Sequence, residues 1–251
     1  MAQVQALVLG SNGWYDTPAG NTTSLLIKTD RFSIVLDAGL GISRLEKYCD
    51  QSLPTYLFIS HPHLDHIYGI NVLMKFNFSA GLTIFGQSGI KSELQQIFKY
   101  PFSVEFEKYP YDVKVFEAPF KTEDFPFRFT VEPLRHAVPT IGIRIELEGK
   151  VISYVADTGY CQNCVKLAKG ADLLFTECAH PIGQPEVGDW PHLSPENGAK
   201  IAKEAGAKQL VLMHFNPTHY PDAASRKVAE TVAKQDFENT RAAFDGLEIS
   251  L

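Results

Sequence analysis

Short apolar runs punctuated by Gly, Asn, Asp and Pro set the pattern of the first third of the chain. Residues 4–9, 25–28 and 33–36 read as strands with turn-rich stretches between them, and their succession predicts an antiparallel meander. A wholly apolar run at 56–59 predicts a buried strand. From residue 67 to about 78 the spacing turns helical; 82–85 is a short strand, and 88–98 a second helix with Ser88 as its N-cap. Residues 101–134 are rich in Phe, Tyr, Val and Pro and predict strands with loops, followed by an alternating strand at 141–146. Strands are expected again at 151–156, 171–176 and 209–213. A helix begins at Ser194-Pro195 and is stopped by Gly206. A further helix spans 222–235, and a last strand closes 243–251. The pattern has no repeat and no low-complexity linker, so residues 1–251 read as one α/β domain.

The densest chemistry lies at one joint of this pattern. Ser60-His61-Pro62-His63-Leu64-Asp65-His66 follows the apolar run at 56–59 and precedes the helical segment. That puts four potential ligands where open α/β sheets place their sites, at the carboxyl end of a strand. In a tight turn His61 and His63 point the same way, whereas the adjacent Asp65 and His66 diverge by about 100°. One cluster can therefore serve two neighbouring metal positions, and imidazole with carboxylate suits zinc, manganese or iron. Further single residues stand at predicted strand ends: Asp37 before Ala38-Gly39, His136 in Arg135-His136-Ala137, Asp157 before Thr158-Gly159, Glu177 and His214. A carboxylate ending an apolar strand, as Asp157 does, is costly to bury unless paired or metal-bound.

Composition narrows the classes. The chain is 45% hydrophobic and 12% aromatic, which fits a packed soluble domain. The first residues lack the basic stretch of a signal peptide and no run approaches membrane length, so a cytoplasmic protein without membrane contact is expected. A net charge of −6 argues against a general nucleic-acid binder. Cys49, Cys161, Cys164 and Cys178 make no disulfide framework, and Cys161-Gln-Asn-Cys164 reads as two ordinary thiols at a loop and helix start.

The ordered set resembles the metallo-β-lactamase fold, whose His-x-His-x-Asp-His motif matches residues 61–66. The resemblance implies an αββα sandwich, two mixed β-sheets with helices on the outer faces. It assigns His61, His63 and His136 to one metal, Asp65, His66 and His214 to a second, and Asp157 as the bridge. Asp37 matches an aspartate that orients ligands from behind. Two divalent ions are implied, zinc first, with manganese or iron as alternatives. His192-Leu193-Ser194 resembles the histidine motif of tRNase Z-like phosphodiesterases, and Glu177 falls where those enzymes place its carboxylate partner; Asp189 is a rival. Asp65, His192 and Glu177 form the expected catalytic set, while His180 and His219 receive no role. The carboxy-terminal Phe244-Asp245-Gly246-Leu247-Glu248-Ile249 resembles the small cyclic-phosphate diesterases of the group.

The expected activity is therefore hydrolysis of small or cyclic phosphodiesters by a dinuclear metal site. The alternative is a tRNA 3′-processing endonuclease. The Gly/Pro-rich basic arm of the tRNA-processing members is not found here, and Arg135, Arg144 and Lys121 are too scattered to form an RNA track, so nucleic acid is not the favoured partner. A homodimer would be the way to assemble a basic groove. An ester or lactone hydrolase and a non-catalytic metal-dependent scaffold rank lower, the latter because it predicts lost ligands and none is lost.

Overall fold

Alternate residues of the first strands enter different cores. In β1 (Gln5–Gly10), Ala6 and Val8 join one buried cluster while Leu7 and Leu9 join another. The same split divides Leu25 and Ile27 from Leu26 in β2 (Ser24–Lys28), and Ile34 and Leu36 from Val35 in β3 (Ser33–Leu36). In β4 (Thr55–Phe58) Phe58 and Leu57 part in the same way. A strand buried on both faces reads as continuous apolar sequence, which is what these runs are. The computed structural model describes residues 4–185 and 188–251. The leader reading, which rests on residues 1–3, and part of the loop 181–190 fall outside them.

Two sheets form. β5 (Leu82–Gly86), β6 (Val113–Glu117) and β13 (Glu248–Ser250) complete a seven-stranded sheet of order β13-β1-β2-β3-β4-β5-β6. The second sheet has six strands in the order β12-β11-β10-β9-β8-β7. Its strands are β7 (Arg128–Leu134), β8 (Thr140–Leu147), β9 (Lys150–Val155), β10 (Leu173–Glu177), β11 (Leu210–Met213) and β12 (Thr240–Ala242). Each sheet is mixed. β1, β2 and β3 pair antiparallel, as expected of a meander, but β3 to β6 run parallel. In the second sheet β7, β8 and β9 are antiparallel and β9 to β12 parallel. An aromatic layer joins the sheets: Phe58 stacks on Phe85 at 4.6 Å and meets Phe129 edge-on at 4.9 Å.

Helices cover the outer faces. α1 (Leu64–Ile67), α2 (Ile90–Ile97) and two 3-10 segments, Leu40–Lys47 and Tyr68–Lys75, supply Ile42, Leu45, Ile67, Ile70, Leu73, Ile90 and Leu94 to the core outside the first sheet. α3 (Gln162–Ala168), α4 (Pro195–Ala205) and α5 (Ala223–Ala233) pack along the second sheet, α4 bridging the other two. Ser194 caps α4 through Asn197, with Pro195 at the first position and Gly206 left-handed at the end, as the sequence predicts. Asp222 and Ser225 form a capping box on α5.

Three expectations are corrected. The helix over 67–78 is a four-residue α-turn running into a 3-10 segment, because Gly69 N donates to Ala38 O at 2.7 Å and draws the chain against the loop after β3. Ser88 does not cap α2; Gly89 does, with φ at +95°, a conformation glycine adopts freely and serine does not. The closing strand expected over 243–251 is confined to β13 (Glu248–Ser250); residues 243–247 carry the chain from β12, which ends at Ala242 in the second sheet, across to the first sheet through Asp245 and Gly246.

Candidate metal centre

All seven predicted ligands arrive at the carboxyl ends of strands. His61 and His63 follow β4, with Asp65 and His66 in α1; His136 follows β7, Asp157 follows β9, and His214 follows β11. They gather into two groups, each with ligand atoms within 4.8 Å of one another: His61, His63, His136 and Asp157; and Asp65, His66 and His214.

The hydrogen bonds behind the rings decide which nitrogens face inward. Ser60 Oγ donates its one proton to Asp37 Oδ2 at 2.8 Å, so His61 Nδ1, 3.0 Å away, must be the donor to Ser60 Oγ. His61 then presents the lone pair of Nε2 to the centre. His66 Nδ1 donates to Asp37 Oδ2 at 2.8 Å, and His136 Nδ1 donates to the Pro191 carbonyl at 3.2 Å. Both therefore also point Nε2 inward. Asp37 is fully buried and accepts in addition from Ser60 N at 2.7 Å and from the Tyr154 hydroxyl at 2.7 Å. Such partners fix ring orientation and tautomer behind a metal.

The inward atoms crowd together. His63 Nδ1 lies 2.9 Å from His61 Nε2 and 3.3 Å from His136 Nε2. His66 Nε2 and His214 Nε2 are 3.0 Å apart, and Asp65 Oδ2 sits 3.2 Å from the latter. Asp157 Oδ1 lies 3.2 Å from both His66 Nε2 and His214 Nε2, while Oδ2 is 3.8 Å from both His61 Nε2 and His136 Nε2. One carboxylate thus reaches both groups. Its buried Oδ1 has no hydrogen-bond partner. Ring nitrogens this close together, beside an unsatisfied carboxylate oxygen, fit divalent cations as nitrogen and oxygen donors do.

Charge points the same way. Burial raises the Asp157 and Asp65 carboxyl pKa values, yet the surrounding histidines outweigh it and hold both below the ordinary range. Burial opposes charge on His66, but Asp157, Asp37 and Asp65 hold its pKa well above the usual value. His61, also buried but ringed by histidines, is pushed well below it.

A second layer meets the clusters from the amino-terminal loop. Trp14 N donates to Asp65 Oδ2 at 2.7 Å, and a Cβ at Gly13 would lie 2.4 Å from the His214 ring. Asp37, Trp14 and His214 hold φ values of +59°, +62° and +54°, unusual for residues with side chains.

His192 Nδ1 donates to Glu177 Oε1 at 2.8 Å, and Glu177 is fully buried, accepting also from Thr158 N at 2.9 Å and Ala179 N at 3.0 Å. Burial lowers the His192 pKa, but Glu177 and the site aspartates raise it overall to about 9. The rival Asp189 is exposed and Glu177 is the partner of this ring. His192, Asp157, His63, Asp65 and His214 open on a cleft of about 700 Å³ together with Trp14, Leu64, Trp190 and Asn216. Trp14, Trp190 and the Tyr154 hydroxyl carry no pattern that the chain order alone reveals. His180 binds the Pro185 carbonyl, apart from the clusters. The thiols of Cys161 and Cys164 lie 3.4 Å apart at the start of α3, and the contact from Cys164 lowers Cys161 to about 5.

Residues 33–215 match the model of the beta-lactamase superfamily domain, more than half of the chain. The chain belongs to that superfamily. Among superfamily relatives, the "Ribonuclease Z" of Bacillus licheniformis is 25% identical, with 98% of each chain covered. The metallo-beta-lactamase fold protein YhfI from Bacillus subtilis superposes with a TM-score of 0.80 at 24% identity over the whole of both chains. A diphosphatase from the PhnP family gives a TM-score of 0.76 at 17% identity, covering 99% of this chain and 98% of that one. The two mixed sheets with helices outside are thus the metallo-β-lactamase fold. Among the described residues, no helix is long and apolar enough to cross a membrane.

Proposed function

We propose that this chain is a metal-dependent phosphodiesterase acting on small or cyclic phosphodiesters. In this reading His61, His63 and His136 hold one divalent ion, Asp65, His66 and His214 a second, and Asp157 spans the two, with zinc the first candidate. Bound together, two such ions supply Lewis acidity and a water of lowered pKa. The chain's own residues do the rest. Asp37 and Ser60 hold the ligand rings, and Trp14 N holds Asp65. His192, kept protonated and oriented by Glu177, stands at the cleft as the donor to a departing alkoxide.

The observation that carries the reading is His192, held by the buried Glu177, opening on the same cleft as Asp157. Alkoxide departure from phosphorus needs a proton at the leaving oxygen, and His192 stands where it can supply one. The runner-up, tRNA 3′-end cleavage, draws on the "Ribonuclease Z" relative. Against it stand the net charge of −6 and the absence of Lys and Arg among the described residues lining the cleft. Folded RNA is held largely by such cations.

The test is a steady-state comparison at about 150 mM salt, with added zinc or manganese, of bis(p-nitrophenyl) phosphate, cyclic nucleotides, a lactone and precursor tRNA. A diester should win on kcat/KM. Higher kcat/KM on precursor tRNA installs the runner-up, and turnover of the lactone alone removes both.

A further inference from the structure

The cleft that serves the candidate centre is mixed in chemistry. Beside the ligand histidines and aspartates and His192, its lining includes the apolar side chains of Trp14, Leu64 and Trp190. Among the described residues none of its lining is Lys or Arg. A ligand with several phosphates would leave all but one of them without a cationic partner, since phosphate recognition away from metals rests on Arg and Lys.

Two of the cleft's rings are large and exposed. Trp190 stacks on the His63 imidazole at 4.8 Å and 23°, yet 62% of the residue stays exposed. Trp14 is 66% exposed. Its backbone is pinned beside the centre: its N–H is bonded to Asp65 Oδ2 at 2.7 Å, and Gly13 N to Phe215 O at 2.9 Å. The φ of +62° at Trp14 suits glycine or asparagine without strain, so a bulky indole is carried there against the backbone's preference. Two indoles left in water beside a reaction centre are surfaces awaiting an aromatic partner.

We propose that Trp14 and Trp190 select a phosphodiester that carries a planar aromatic group, such as a nucleobase, on the ester not cleaved, and only a single negative charge. The inference rests on the phosphodiesterase reading and specifies its substrate class. The diester sits at the histidines and aspartates while the aromatic group lies against an exposed indole beside them. Stacking of this kind tolerates any base and adds about tenfold or more in affinity.

Two p-nitrophenyl diesters test it because their leaving group is the same: phenyl p-nitrophenyl phosphate and methyl p-nitrophenyl phosphate. With saturating zinc or manganese, kcat/KM should favour the phenyl ester by about tenfold or more. Trp190→Ala and Trp14→Asn should bring that ratio toward one, and Trp190→Phe should restore most of it. Metal content and thermal unfolding of each variant show that the centre is still assembled; if Trp14→Asn loses metal, the Trp190 pair decides alone. For charge, thymidine 5′-(p-nitrophenyl phosphate) should be turned over faster than its 3′-phosphorylated counterpart. A phenyl-to-methyl ratio near one in the unsubstituted enzyme, a ratio unmoved by the tryptophan variants, or a gain from the second phosphate overturns the proposal while the phosphodiesterase reading stands. Turnover of neither ester overturns that reading itself.

Discussion

At the residue scale the site turns on which atom holds a proton. His192 donates through Nδ1 to Glu177, so Nε2 is the atom left to face the cleft. His192→Ala is expected to keep the metals and lose roughly 10²–10⁴-fold in rate on diesters with alkyl leaving groups. Nitrophenolate leaves without a proton, so its loss should be much smaller. Equal losses for both leaving groups would remove His192 as the acid. A different titration is visible at Glu230. Burial raises its pKa, but hydrogen bonds from Lys227, Ala242 N and Lys234 outweigh burial and bring it to about 2. A folded value below the unfolded one means that this stability is present above about pH 4.3 and is lost as pH falls toward 2. Glu230→Gln should therefore destabilise by about 1 kcal/mol at pH 6 and by nothing near pH 2. Denaturant midpoints at the two pH values check it.

At the element scale, strands deliver ligands and one buried network holds the loop that crosses them. Arg226 of α5 is 3% exposed, donates to Ser11 Oγ at 2.8 Å and to Asn12 Oδ1, and lies over the Phe215 ring. Arg226→Met should cost about 2–4 kcal/mol, because Ser11 and Asn12 lose a charged donor in a buried place. Urea unfolding with an unchanged m-value is the measurement. Much of this level was legible in the chain. His61 to His66 form one compact cluster, and Asp37, Asp157 and His214 each end an apolar run, so local pattern marked these, whereas His136 and Glu177 gained their roles from the family resemblance. The 3-10 segments were not legible, because the contact between Gly69 and Ala38 that shapes one of them joins separate elements. Nor was the grouping of ligands legible without the resemblance: periodicity placed each at a strand end, and only the packing of two sheets brings β4, β7, β9 and β11 to one edge.

At the scale of the whole molecule, the centre ties the two sheets together across their shared edge. Ions bound there would stabilise the folded chain alone. At a hundredfold excess over Kd, each site adds about 2.7 kcal/mol. Chelation of both should then lower Tm by roughly 10–20 °C, given about 2–4 °C per kcal/mol in a chain of this size. Calorimetry with and without a chelator, and after adding zinc back, checks this. The histidine ligands must shed protons to bind, so the stabilisation should fade as pH drops toward 5.

Asp245 lies between the sheets, where it accepts from Ser11 N at 2.9 Å, Ser11 Oγ at 2.7 Å and Asn21 N at 2.8 Å. Ser11 and Asp245 are 234 residues apart, so the loop that bears Trp14 is made long before its clamp. At the usual pace of translation, about 5–20 residues per second, that interval is roughly 10–50 s. During synthesis the first loop of the site is therefore among the last pieces to settle. Until residue 245 clears the ribosome, the nascent chain exposes an unclamped indole beside half-assembled histidines, and it is then that a chaperone has most to shield.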